Sequence, residues 1–137
     1  METKQLNPEG VFDPNAFGMS QGMIDLETGL VFVSGQVAWD VEGKIVGKTH
    51  AEQTTRALQN LIAVLGAAGA SAANVLSVRL YLRGELAEHI RECNSVLAQY
   101  WGETRPALTA IGVASLSNPD TLVEIEVVAR VSPSPKG

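Results

Sequence analysis

The sequence predicts an α+β domain in which one β-sheet carries two amphipathic helices on a single face. Three observations lead there. Strand-like runs with alternating apolar positions lie toward both ends of the chain, two segments between them repeat apolar residues at helical spacing, and 137 residues with 45% hydrophobic content suffice for one core. Strands interrupted by two helices of this kind favour one sheet with both helices packed on the same side.

Met19 to Ile24 and Leu30 to Val37 read as strands, and Asp25, Glu27, Thr28 and Gly29 between them suit a tight hairpin turn. A second turn follows at Asp40 to Gly43. Thr49 with Glu52 three residues later gives a capping-box start, and Leu58, Leu61, Ile62 and Leu65 continue at i, i+3, i+4, i+7. Gly66 or Gly69 closes that helix. A strand from about Val75 to Leu82 comes next. Gly84 separates it from a helix whose Leu86, Ile90, Cys93, Leu97 and Tyr100 share a stripe. Two last strands, near Ala107 to Val113 and Leu122 to Ala129, flank an Asn118-Pro119-Asp120 turn. The expected order is β-β-α-β-α-β-β in one domain over residues 1–137, with the polar start (about 1–10) and the Ser-Pro-Ser-Pro-Lys-Gly tail (132–137) frayed.

Alternation assigns Val31, Val33, Val37, Ile111, Val113, Val123, Ile125 and Val127 to the helix-covered face. The opposite face collects Phe32, Ser34 and Gln36, then Ser77, Arg79 and Tyr81. It also takes Leu108, Ala110 and Gly112, and finally Leu122, Glu124, Glu126 and Val128. So many apolar and small residues on an uncovered sheet face point to a partner subunit, with any active site at the seam. A half-wet antiparallel sheet with scattered apolar residues is the plainer alternative.

Composition narrows the partners. Fifteen acidic against ten basic residues give a net charge of -5, which offers phosphate backbones no attractive field, so nucleic acid is not expected. No apolar run reaches the roughly 20 residues of a membrane span, and the N-terminus lacks a signal-peptide core. A soluble, cytoplasmic protein is expected. Cys93, the single cysteine, fits a reducing compartment.

Glu124, between Val123 and Ile125 and on the same strand face as Glu126, is the first candidate for chemistry. Desolvation and a neighbouring carboxylate both raise a carboxyl pKa, and a raised pKa suits proton transfer near neutrality. A cross-strand ion pair with Arg79 or Arg130 is the structural alternative. Ser34 precedes Gly35, where the missing side chain lets a ligand approach the backbone; the same pair also marks a bend or bulge. No His and Asp set stands ready to make Ser34 a nucleophile. His89 and Cys93 are four apart on a helix, but two ligands do not make a metal site and Cys93 belongs to the apolar stripe. No metal and no cofactor are expected. His50, Trp39 and Trp101 read as packing.

The run PALTAIGVASL from Pro106, followed by Val123-Glu124-Ile125, resembles the C-terminal signature of the RidA family, also called YjgF or L-PSP. FGMSQG and VFVSGQV resemble two further segments of that family, so the likeness covers nearly the whole chain. It implies a chorismate-mutase-like α+β fold, a homotrimer with three inter-subunit clefts, and hydrolysis of small imines or enamines derived from amino acids. Glu124 matches the glutamate thought to manage the hydrolytic water, Ser34 a cleft serine, and Asn94 an asparagine of the second helix, a position equally suited to an exposed polar residue.

Where the family grips a substrate carboxylate with arginine, this chain has Leu108; Thr109 follows at the small position. Met19 replaces a cleft tyrosine, and Ala110 replaces a reactive cysteine. Leucine cannot supply the two-pronged donor that arginine offers. Arg105 lies three positions earlier, on the opposite strand face, with Pro106 between; Arg79 lies on the open face. The expectation is an arginine-lacking relative acting on a small-molecule imine without carboxylate capture. A trimeric protein that binds a metabolite or regulates a partner without turnover is the alternative, and the ribonuclease activity attached to the L-PSP name is disfavoured by charge.

Overall fold

Residues 2–133 are described by the computed structural model; the part of the expected fraying that concerns residue 1 and residues 134–137 lies outside them. Six strands and two helices follow in the order β1 (Thr3–Leu6), β2 (Gly22–Asp25), β3 (Leu30–Val37), α1 (His50–Ala67), β4 (Val75–Arg83), α2 (Leu86–Trp101), β5 (Ala107–Val113) and β6 (Val123–Arg130). They form one sheet in the order β1-β2-β3-β6-β4-β5. Neighbours are antiparallel except β4 and β5, whose parallel pairing needs the long crossover that α2 provides.

Helix α1 starts where the sequence signals it: Thr49 Oγ1 accepts the Glu52 backbone N–H at 3.1 Å. The Glu52 carboxylate takes the Lys48 N–H instead of reaching back to Thr49. Its end is a Schellman motif. Gly69, at φ +72°, donates to Gly66 O, and Ala70 donates to Leu65 O, which satisfies two orphan carbonyls at the last turn. Leu58, Leu61 and Leu65 of α1 and Cys93 and Leu97 of α2 then join Val31, Leu80 and Ile125 of the sheet in one buried cluster. Burial of each large side chain contributes roughly 1.5–3 kcal/mol.

Three features differ from the sequence expectation. The start of the chain is not frayed over Thr3–Leu6, which pairs with β2 and buries Leu6 to 1% exposure. Its single inward apolar residue leaves no alternation to detect.

The second difference is in β3. Its pairing with β6 shifts between Val33 and Gln36, so Gln36 opposes Ile125 and Val37 opposes Glu124. This bulge turns Gln36 inward, to 2% exposure, and Val37 to the uncovered face, the reverse of the simple alternation.

The third is β5. Its register with β4 pairs Val78 with Leu108, Leu80 with Ala110 and Tyr81 with Ile111. Paired residues share a face, so Leu108, Ala110 and Gly112 lie on the helix side, and Ile111 and Val113 on the other. The small residues have a reason to be there. A Cβ on Gly112 would stand 3.0 Å from Gly84 O and 3.3 Å from Leu86 Cβ, where α2 begins.

Candidate functional site

Glu124 and Glu126 project from β6 onto the uncovered face, and their surroundings differ. Glu126 accepts the Tyr81 hydroxyl and lies 3.9 Å from the Arg79 guanidinium. That hydrogen bond, with burial second, pushes the Tyr81 pKa up. The half-buried Glu124 has no such partner among the described residues; burial first and the Glu126 charge second hold its pKa above the ordinary 4.5. Arg79, one of two partners the ion-pair alternative needed, stands at the other carboxylate.

The bulge in β3 makes room for this carboxyl. A side chain on Gly35 would meet Glu124 Cδ at 2.6 Å and Oε2 at 2.7 Å. Ser34 is tied down on both sides of its backbone: its hydroxyl donates to Ser20 O at 2.7 Å and its N–H to Gln21 O at 2.9 Å. Gln36 is held equally firmly, its amide donating to Gln21 Oε1 at 2.8 Å and Ser34 O at 3.1 Å.

Beside Glu124 opens a cavity of about 350 Å³. Phe12, Phe17, Met19 and Trp39 form its apolar wall, and Gln36 and Asn60 supply polar groups. Phe12 is the hinge of the aromatic set. It stacks on Phe17 at 5.8 Å between centroids and meets Trp39 edge-on at 5.2 Å. Asn60, reaching up from α1, donates to Val37 O at 3.0 Å and Trp39 O at 2.9 Å, fixing the end of β3 where ladder pairing stops. The Trp39 indole N–H is buried without a partner among the described residues.

Glu124, Gly35 and Met19 therefore meet at one cavity, and Ser34 lines an adjoining depression that shares Met19. Asn94 lies exposed on α2, and Leu108, Thr109 and Ala110 lie on β5, separated from β6 by β4; within one protomer none of these four lines the cavity. Phe12, Phe17, Trp39, Gln36 and Asn60 were not singled out as site residues from the sequence. Asn60 left a signal: it interrupts the inward stripe of α1 at the spacing of Ala57, Leu61 and Val64.

His50, His89 and Glu92 bring one donor atom each within 4.8 Å of one another. The two imidazoles are stacked, with centroids 3.6 Å apart and planes 10° from parallel, so an ion cannot lie in both ring planes at once. His50 Nε2 lies 2.9 Å from Arg83 O, a packing contact at the helix start. Burial pushes the Cys93 thiol pKa up, which leaves it unreactive. Among the described residues no helix is long and apolar enough to cross a membrane.

A mixed sheet in this order with both helices on one face is the chorismate-mutase-like α+β fold. Residues 14–131 match the endoribonuclease L-PSP family. The chain belongs to this family, the RidA/YjgF/L-PSP superfamily. A RutC family protein of Pyrococcus abyssi is 39% identical over 100 residues, 72% of this chain and 76% of that protein. A 2-iminobutanoate/2-iminopropanoate deaminase of Homo sapiens is 32% identical over 122 residues, 88% of this chain and 85% of that one. Among solved structures, a YjgF/YER057c/UK114 family member from Mycobacterium tuberculosis superposes with a TM-score of 0.80 at 32% identity, over 95% of this chain and 100% of the other.

Proposed function

We propose that this protein is a cytoplasmic homotrimer that hydrolyses small imines or enamines at inter-subunit clefts, without the carboxylate-gripping arginine its family resemblance would lead one to expect. The observation that carries the reading is the Glu124 carboxyl, half-buried, without a partner among the described residues and set against a mostly apolar cavity. Such a group accepts a proton from water attacking an iminium carbon, giving a neutral carbinolamine. It then returns that proton to the amine nitrogen, and the C–N bond breaks to release ammonia while the carbonyl forms and its proton leaves to solvent. In sum, iminium and water become a carbonyl compound, ammonia and a proton.

The human relative's name supports the reaction class. Support for the trimer comes from exposed Phe32 and from Tyr81 and Val128, which share its uncovered face. In such an assembly the β5 edge, with Leu108 exposed and Thr109 on the uncovered face, would reach a neighbour's cavity, whereas Asn94 on α2 and Ala110, packed on its own protomer's core, would not. A second reading, ligand binding or partner regulation without turnover, draws on Met19 and Leu108, apolar residues standing where the family resemblance implies a cleft tyrosine and the gripping arginine. Endoribonuclease action is disfavoured by the net charge of -5.

The deciding assay follows the loss of imines generated in situ by an amino-acid oxidase or an amine oxidase, with native protein and Glu124→Ala. Acceleration by the native protein, absent in the variant, is expected. No acceleration of any imine would leave only the binding reading.

A further inference from the structure

We infer that the Glu124 cavity selects organic cations: a protonated amine or iminium on a small apolar body bearing no acid group. This deepens the proposed function and rests on this cavity being the ligand site, though not on turnover there. Among the described residues Glu124 is the only charged one that lines it. Arg56, whose Nε donates to Trp39 O at 3.3 Å, does not line it, and Arg79 is engaged with Glu126.

The hydrogen-bonding groups point the same way. Two of the three amides that line the ligand space spend both donors on the protein itself: Gln36 Nε2 on Gln21 and Ser34, Asn60 Nδ2 on Val37 O and Trp39 O. Gln21 Nε2 gives one N–H to Phe12 O at 2.8 Å and keeps its second. What Gln36 and Asn60 retain for a ligand are acceptors, their amide oxygens beside the Glu124 carboxylate. Acceptors with negative charge, walled by three aromatic rings, suit an ammonium or iminium, which gains from ring quadrupoles as well as from the carboxylate. A carboxylate ligand there would lose its hydration, meet Glu124 and find no charged donor. The indole N–H of Trp39 and the second amide N–H of Gln21 are unclaimed but neutral donors, too little to hold an anion. At about 350 Å³ the space is at the small end of ligand pockets, which run from about 300 to 1,000 Å³.

The test titrates the full-length protein at neutral pH with three ring-matched, unreactive probes: benzylammonium, benzyl alcohol and benzoate. Benzylammonium should bind about tenfold tighter than the alcohol, with benzoate weakest. In Glu124→Gln the cation preference should fall to near unity, and Met19→Arg should reverse the order in favour of benzoate. Benzoate binding native protein as tightly as benzylammonium, or a cation preference unchanged in Glu124→Gln, would overturn the inference. The two proposals fail separately. Cation selectivity without imine turnover removes only the hydrolase reading, whereas turnover of acidic imines without cation selectivity removes only this one.

Discussion

Gly35 lies against the Glu124 carboxyl so closely that a Cβ at position 35 would stand 2.6 Å from Glu124 Cδ and 2.8 Å from Cγ. The contact is made by the bulge, which brings β3 back into register with Val37 opposite Glu124. Gly35→Ala should therefore displace the carboxyl rather than unfold the sheet. Imine turnover is expected to fall about 10- to 100-fold, by misplacement of the acid-base group, with a melting temperature within a few degrees of native. Native turnover in Gly35→Ala would show that the carboxyl position does not matter.

Glu124 carries a stability consequence with a definite sign. Its folded pKa is raised above 4.5, so between that value and the folded pKa the native state binds more protons than the unfolded one, and stability falls as pH rises. Glu124→Gln should melt on the order of 1–5 °C higher than native at pH 7, and the gain should vanish below pH ~4. An equal gain at every pH would mean the carboxyl is not destabilised by its site.

For turnover the same titration runs the other way. As the proposed base, Glu124 acts only when ionised, so kcat/KM should drop as pH falls through a pKa above the usual carboxylate value. A native rate profile that stays flat down to pH ~4 would remove Glu124 from the reaction.

Asn60→Ala should destabilise the fold by about 1–3 kcal/mol in chemical denaturation, because Val37 O and Trp39 O then lose their shared donor. The Trp39 fluorescence should change with it. A cost indistinguishable from zero would mean water replaces the amide at no penalty.

Phe32, 49% exposed, stands on the uncovered face beside Val128. Phe32→Lys should convert the proposed trimer to monomers in light scattering while leaving the helical circular dichroism unchanged. An unaltered particle mass would place the subunit contact elsewhere.

The sequence reveals most of this architecture because both helices, β6, β4 from Val78 onward and the first half of β3 bury one regular stripe each. Three things escape it for physical reasons. Val33-Ser34-Gly35-Gln36-Val37 alternates as well with a bulge as without one, so the flip of Gln36 leaves no mark in periodicity. The register of β5 against β4 is set by where the α2 crossover delivers the strand, and an offset of one residue presents Leu108 to the side opposite the expected one. Phe12 and Phe17 sit in a stretch without regular strand or helix periodicity, where only the fold brings them to Trp39. From the sequence Glu124 stands beside an ion-pair alternative; the fold adds that Arg79 goes to Glu126 and that Glu124 lines the cavity.

Strand β5 stands at the end of the sheet and reads Ala-Leu-Thr-Ala-Ile-Gly-Val, seven residues without a charge or a proline, with Leu108 42% exposed. A border of this kind is a template on which a second chain can zip its own backbone, the route by which fibres begin. A subunit kept apart from its neighbours should clump on concentration or warming. In the proposed trimer, a neighbour lying over β5 would guard solubility as well as shape.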